Sequence, residues 1–376
     1  MAQVNTKKSA MFLSASGTVP TAPAGFIEST EEIIPNIEIG GGDFKRINGY
    51  KGQGDTYTDT DDVTLSYTLN HNVRTQNKDA DALDTTPEYG ELLKVCGFDE
   101  VDVQRLYIAS TTGLSVGDIV TGDTSSATGT VLRIIEDDNI LVSGVTGTFQ
   151  VETLNTATYT VSSAGVGVCY VNGQSTTPGS AAINIDGKQH TATGSIVGDL
   201  TMNMSIGEPV TLSVAMSMFL DNKGVASSVA LPQVTLSDEQ IVLMGYSDIG
   251  LAGGTSIEAK TFTISQNAEI NKRYGLGRKQ YTQDDYDFKL STTFNIDDTN
   301  YNTAITKLIA ETTEDILIKL KTDVGSDQSG KTIEIYCPIG KAATSSQSGD
   351  NSEVERTFEW KLQGKEQLFI YNGFYS

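Results

Sequence analysis

The strongest constraint on this chain is a pair of facing alternations about a tight turn. Leu200, Met202, Met204 and Ile206 alternate with polar residues, Gly207-Glu208-Pro209 turns the chain, and Val210, Leu212, Val214, Met216 and Met218 alternate back. Period-two alternation places every apolar side chain on one face of a strand, so this pattern predicts an antiparallel hairpin with one buried face. The methionines at 202, 204, 216 and 218 read as core filler, because no His or Cys stands beside them to complete a soft metal site. Similar runs lie upstream. Ile37 and Ile39 alternate and stop at Gly40-Gly41-Gly42, and Val63, Leu65, Tyr67 and Leu69 form a full strand. The polar stretch from Asp43 to about Asp62 between them is expected to be a long loop. Residues 1–26 contain Thr18-Val19-Pro20-Thr21-Ala22-Pro23-Ala24-Gly25 and are expected to form an extended arm, disordered or docked on a neighbour.

One helix stands out. Thr86 is suited to the N-cap, Pro87 to the first helical position and Glu88 to the positive end of the dipole. Tyr89, Leu92, Leu93 and Cys96 then share one face, and Gly97 is a natural stop. Residues 105–161 change character: brief apolar runs at Ile119-Val120, Val131-Leu132 and Ile140-Leu141-Val142 alternate with turns, which predicts a small inserted β domain.

The second half repeats the first. Tyr57-Thr58, an Asp cluster and Leu65-Ser66-Tyr67-Thr68-Leu69-Asn70 match Tyr281-Thr282, an Asp cluster and Leu290-Ser291-Thr292-Thr293-Phe294-Asn295. Arg46-Ile47-Asn48-Gly49-Tyr50 has a looser counterpart in Lys272-Arg273-Tyr274-Gly275. A second helix is expected from near Asp298 or Thr299, with Tyr301, Ile305, Leu308 and Ile309 on one face. Ile183-Asn184-Ile185 is matched to Ile333-Glu334-Ile335, and the hairpin at Gly207 to Phe358–Leu362 with a turn at Gly364 and a return over Leu368 to Tyr375. This gives a mainly β chain: an arm over 1–26, a first module over 27–104 and 162–230, the insert over 105–161, and a second module over 231–376. Each module is expected to be a β-sandwich or rolled sheet with one short flanking helix.

Composition narrows the chemistry. Lys and Arg total 26 against 48 Asp and Glu, a net charge of −22. Such a surface repels a phosphate backbone, so tight nucleic-acid binding is not expected. Cys96, Cys169 and Cys337 are widely spaced and odd in number, giving neither a disulfide framework nor a metal motif. No apolar run reaches the roughly 20 residues of a membrane-spanning helix, and Met1 to Lys8 precede no signal-peptide core, so a protein made in the cytosol is expected. His71 and His190 are the only histidines and lie in different segments. Asp59, Asp61 and Asp62 lack the glycine and terminal glutamate of a calcium loop. Gly275-Leu276-Gly277 lacks the GK[ST] of a phosphate loop. No catalytic residue, metal ligand or cofactor site is assigned. Tyr50, Tyr57, Tyr274 and Tyr281 sit near basic residues and read as packing at a protein interface.

Thr86-Pro87-Glu88-Tyr89-Gly90-Glu91-Leu92-Leu93-Lys94-Val95-Cys96-Gly97-Phe98 resembles the helix of lambda-type, long-tailed bacteriophage tail tube proteins. Ala182 to Gly187, Gly194-Ser195 and Gly198-Asp199-Leu200 leading into the hairpin are similar to the same family. The resemblance spans most of 27–104 and 165–376. It implies a virion structural protein whose inner sheets join around a ring, with rings stacked into a hollow conduit for DNA. With two modules per chain it implies a trimeric ring of pseudo-sixfold symmetry, or a hexameric ring if one module is an outer decoration. Other tail proteins at the tube ends, and genomic DNA passing without specific binding, are the implied partners. Candidate contacts between subunits or rings are Met11, Phe12, Phe44, Arg46, Tyr50, Tyr57, Arg273, Tyr274 and Tyr281. A tail-tip or capsid decoration protein, or a carbohydrate-binding or hydrolysing β protein, are the alternatives. The single Trp360, on an expected core strand, speaks against a carbohydrate cleft.

Overall fold

The computed structural model describes residues 9–22, 24–45, 54–74, 87–135, 138–156, 158–173, 178–230, 242, 248–251, 255–256, 259–275, 278–295, 313–321, 331–350 and 353–374. The chain is mainly β, with antiparallel strands. The first half opens with β1 (Ser9–Ser14), β2 (Phe26–Ile27), β3 (Asn36–Lys45), β4 (Gly54–Asn72) and helix α1 (Glu88–Val95). β5 (Phe98–Ile108), β6 (Ile119–Thr121), β7 (Thr128–Ile134), β8 (Asn139–Thr146), β9 (Thr153–Leu154) and β10 (Tyr159–Asn172) carry the insert. β11 (Gly179–Ile185), β12 (Lys188–Ser205), β13 (Thr211–Phe219) and β14 (Ser227–Ser228) complete this half. The second half holds β15 (Asp248–Leu251), β16 (Thr255–Ser256), β17 (Ala259–Ser265), β18 (Ala268–Gly275), β19 (Arg278–Tyr286) and β20 (Lys289–Asn295). It ends with β21 (Thr313–Lys321), β22 (Lys331–Asp350), β23 (Glu353–Leu362) and β24 (Phe369–Phe374).

One order of pairings occurs twice. In the first half β2 lies on β1, β1 on β11, and β11 on the first part of β12. The later part of β12 lies on β13, β13 on β4, and β4 on β3. In the second half β16 lies on β15, β15 on β21, and β21 on the first part of β22. The later part of β22 lies on β23, β23 on β20, and β20 on β17. β14 and β24 pair with the first parts of β12 and β22, respectively. Each long strand, β12 or β22, therefore passes from one group of partners to another along its length.

The core follows from the alternation. Leu65, Leu69, Leu200, Met202, Met204, Leu212, Val214, Met216 and Met218 are buried in one cluster with Phe262, Leu290, Phe358 and Trp360. Helix α1 adds Tyr89, Leu92, Leu93 and Val95 to the same cluster, which a helix this short needs in order to hold its shape. Two turns depend on positive φ. Asp186-Gly187, at φ +48° and +77°, link β11 to β12, and Gly207, at +77°, links β12 to β13. A side chain beyond Gly, Asn or Asp is strained there.

Five expectations need correction. The polar stretch 43–62 is mostly strand: β3 and β4 form one long hairpin in which Gly42 faces Tyr57 and Phe44 faces Asp55. Residues 46–53 lie outside the described residues. Its Thr and Tyr content favours extended backbone, and its glycines and aspartates hide the alternation. Residues 9–14 are not an arm but a strand of the chain's own sheet, with Met11 and Phe12 at 0 % exposure. The Gly364 turn does not join paired strands, since β23 pairs with β20 and β22 while β24 pairs with β10 and β22. By pairing, the counterpart of the Gly207 hairpin is β22–β23, and Ile333–Ile335 lies on the counterpart of β12 and not of β11. Finally, Pro87 sits at the cap and not inside the helix. Thr86 and the expected second helix near 298–309 lie outside the described residues.

The insert has its own core of Leu106, Ile108, Val120, Ala127, Val131, Ile140, Val142, Phe149, Leu154 and Val161. Its base is tied to the second half. β10 pairs with β5 on one side and β24 on the other. Val103, Leu141, Cys169 and Val171 share a cluster with Leu317, Tyr336, Phe369 and Tyr371. At that junction Arg105 pairs with Glu334, both side chains at 0 % exposure. The Arg105 Nε also donates to Asn139 Oδ1 at 2.8 Å, and the guanidinium lies 5.6 Å from the Tyr371 ring centroid.

Two stability measurements follow. Phe12→Ala should lower the unfolding free energy of the isolated chain by about 3–5 kcal/mol in a denaturant titration, as for a buried aromatic; an unchanged midpoint would return Phe12 to the surface. Arg105→Met should cost about 3–5 kcal/mol because it strands a buried carboxylate, and adding Glu334→Leu should restore most of the loss. A double variant as weak as the single one would contradict the pairing.

Candidate assembly edges and the open face of the sheet

The two halves meet by backbone pairing. The end of β12 lies antiparallel to β17, with Thr201 facing Ser265, Met202 facing Ile264, Asn203 facing Thr263 and Ser205 facing Thr261. Thr263 Oγ1 donates to Asn203 Oδ1 at 3.2 Å across this join. Gln266 reinforces it: its Nε2 donates to the Cys96 carbonyl at 2.7 Å and its Oε1 accepts from the Leu200 N–H at 3.2 Å. One sheet therefore runs through β3, β4, β13, β12, β17, β20, β23 and the later part of β22. The first half contributes β3-β4-β13-β12 and the second contributes β17-β20-β23-β22, in the same order. The halves join head to tail.

The ends of that run differ from its middle. Among the described residues β3 pairs only with β4, and the stretch 342–350 of β22 pairs only with β23. Register makes the contrast quantitative. Ile264 faces Leu290 as Ile37 faces Leu65. Ile264 is covered by β12 and 1 % exposed, whereas Ile37 is 40 % exposed and Ile39 is 62 % exposed. An edge carrying apolar side chains and unpaired backbone groups is a template for another strand.

A second contact joins the halves. The hairpin β18–β19 reaches over the first half, where Tyr281 stacks on Phe219 at 4.9 Å between ring centroids and Tyr274 meets Phe219 edge-on at 6.1 Å. Tyr274 also donates its hydroxyl to Asp62 Oδ2 at 2.9 Å, and the Lys272 ammonium lies 5.9 Å from the centroids of Phe219 and Tyr281. Val197, Phe219 and Tyr281 are buried together here. Tyr274 and Tyr281 thus make a contact between halves inside one chain. Arg273 instead bonds Asp284 on the facing strand at 2.7 Å. Phe44 and Tyr57 occupy, by register, the places of Tyr274 and Tyr281 in the first-half hairpin. Arg46 and Tyr50 lie outside the described residues. Met11 and Phe12 face the interior and offer no exposed anchor. Sequence reasoning missed Phe219, whose signal was an apolar residue breaking the alternation after Met218.

The face of the eight-strand run turned away from the core carries small polar groups. Ser66, Thr68, Ser213, Ala215, Ser217, Thr201, Asn203, Thr261, Thr263, Ser265, Ser291, Thr293 and Thr357 occupy it, half-buried or exposed. Its charges are of both signs: Glu38, Asp199, Glu355 and Glu359 against Lys289 and Lys361, with Lys260 bonded to Glu355 at 2.6 Å. Burial pushes the Asp199 carboxyl up, opposed by N–H donation from Ala268 and Leu200.

The remaining reactive side chains are dispersed. His71 is buried on β4 and its Nδ1 meets the Glu28 carbonyl oxygen at 2.9 Å; His190 lies on β12 opposite Ile183. The three thiols are buried, and burial pushes Cys337 up to about 12. No group of three or more His, Cys, Asp or Glu is placed to hold a metal ion among the described residues, and no described helix is long and apolar enough to cross a membrane.

A double-mutant cycle on Phe219→Ala and Tyr281→Ala should give a coupling of about 0.5–1.5 kcal/mol in unfolding free energy, the range for a packed aromatic pair; strict additivity would mean that the rings do not meet. No protein-family model and no curated protein matches the chain, so the functional reading rests on this geometry.

Proposed function

We propose that this chain is the structural subunit of a long-tailed bacteriophage tail tube, a protein of the virion tail, and not an enzyme. Three copies close a ring of six pseudo-equivalent positions, and stacked rings form the conduit for DNA. The observation that carries this reading is the head-to-tail join of two sheet segments of equal strand order, with edges at opposite ends of the run that are unpaired among the described residues. A heterologous join of this kind repeats until rotation closes it, and closure removes the edges.

The open face supports the same reading. A lining of Ser, Thr and Asn with carboxylates among few lysines gives a passing phosphate backbone little to grip. Sliding then depends less on a strongly acidic lining than the net charge of −22 suggests. The remaining acidity keeps DNA from adhering elsewhere on the tube. Other tail proteins would meet the tube at its ends.

Negative-stain electron microscopy of the purified chain tests the proposal. Hollow tubes built of rings, with a mass per ring of three chains by scattering, are the expected result. Particles that stay single at high concentration would contradict it and favour a tip or decoration protein, and rings of six chains would overturn the trimeric count alone.

A further inference from the structure

We infer that residues 348–350 of β22 pair antiparallel with residues 36–38 of β3 in a second copy of the chain, with Gly349 opposite Ile37. This deepens the tube reading, on which it rests, by fixing which edges meet and in what register. The template is the join inside the chain. Leu65 on β4 faces Met218, and Leu290 on β20 faces Trp360. Aligning the halves on these two leucines superimposes Ser213 on Glu355, and therefore Thr201 on Ser348, since Thr201 faces Ser213 and Ser348 faces Glu355. On the other side Ile264 faces Leu290 and Ile37 faces Leu65, so Ser265 superimposes on Glu38.

Carrying the internal pairs across gives Ser348 opposite Glu38 for Thr201 opposite Ser265, and Gly349 opposite Ile37 for Met202 opposite Ile264. Asp350 comes opposite Asn36 as Asn203 comes opposite Thr263 within the chain. Ile37, at 40 % exposure, then gains the flanking strand that Ile264, at 1 %, already has in β12. A one-residue slip would set the core-side positions of one copy against the open-face positions of the other, so the pleat of the internal join selects this register.

The test is thiol bridging of Glu38→Cys with Ser348→Cys, using a short bifunctional reagent, on assembled particles. The native thiols are buried and stay silent. The expected result is a covalent ladder in units of one chain, ending at the copy number of the ring, with loss of the monomer band and no ladder from either single variant. Bridging by Glu38→Cys alone would show β3 meeting β3 and overturn the inference. So would particles that assemble normally but give no ladder, or that bridge better through Glu38→Cys with Asp350→Cys. A β3–β3 bridge is isologous and would overturn the head-to-tail ring as well; the other two outcomes leave the tube reading intact, whereas failure of the unaltered chain to assemble overturns both. If the pair blocks assembly in reducing buffer, Asn36→Cys with Asp350→Cys reports the same register by the same ladder.

Discussion

The backbone hydrogen bonds between β12 and β17 are the constraint on which the rest depends. They convert two short sheets into one, and they do so through the edges that each half presents at opposite ends. A backbone join is indifferent to side-chain identity, so the same geometry can recur with different residues. Side chains then decide where it is placed. Met202 and Ile264 cover each other on the core side, Gln266 reaches to the Leu200 N–H and the Cys96 carbonyl, and Tyr281 closes over Phe219 on the far side. Stability at the join comes from apolar burial on both faces, and its direction comes from the strands.

That arrangement also explains the exposed residues. An isolated apolar side chain on a surface needs no account. Ile37 and Ile39 differ because the matching edge in the same molecule is covered. The insert occupies a different place. It is rooted through β10 against β24 and through the buried Arg105–Glu334 pair, so it shares its foundation with the second half and does not hang from the first by a linker.

Much of the fold was legible. The alternation at Leu200–Met218 gave the hairpin, its turn and its buried methionines, and the helix stripe of Tyr89, Leu92 and Leu93 faces the core as its spacing requires. Other parts were not. The hairpin at 40–59 was hidden because glycine and aspartate break an alternation that backbone pairing sustains without apolar side chains. The strand Ser9–Ser14 was obscured by the proline-rich stretch that follows it. Period-two patterns are alike on neighbouring strands, so sequence placed Ile333–Ile335 on the wrong member of the repeat; only pairing distinguishes β11 from β12. Of the residues expected between subunits or rings, Tyr274 and Tyr281 pack instead against the other half of the same chain, and Met11 and Phe12 are core.

The central claim is that the internal join is the pattern for joining one copy to the next. Amide hydrogen exchange, compared between dispersed and assembled chains, addresses it directly. Amides of 36–38 and 348–350 should gain protection on assembly, while those of β12 and β17 at Thr201–Ser205 and Thr261–Ser265 should be protected in both states. Assembly that leaves the exchange of 36–38 and 348–350 unchanged, and protects other segments instead, would contradict the account.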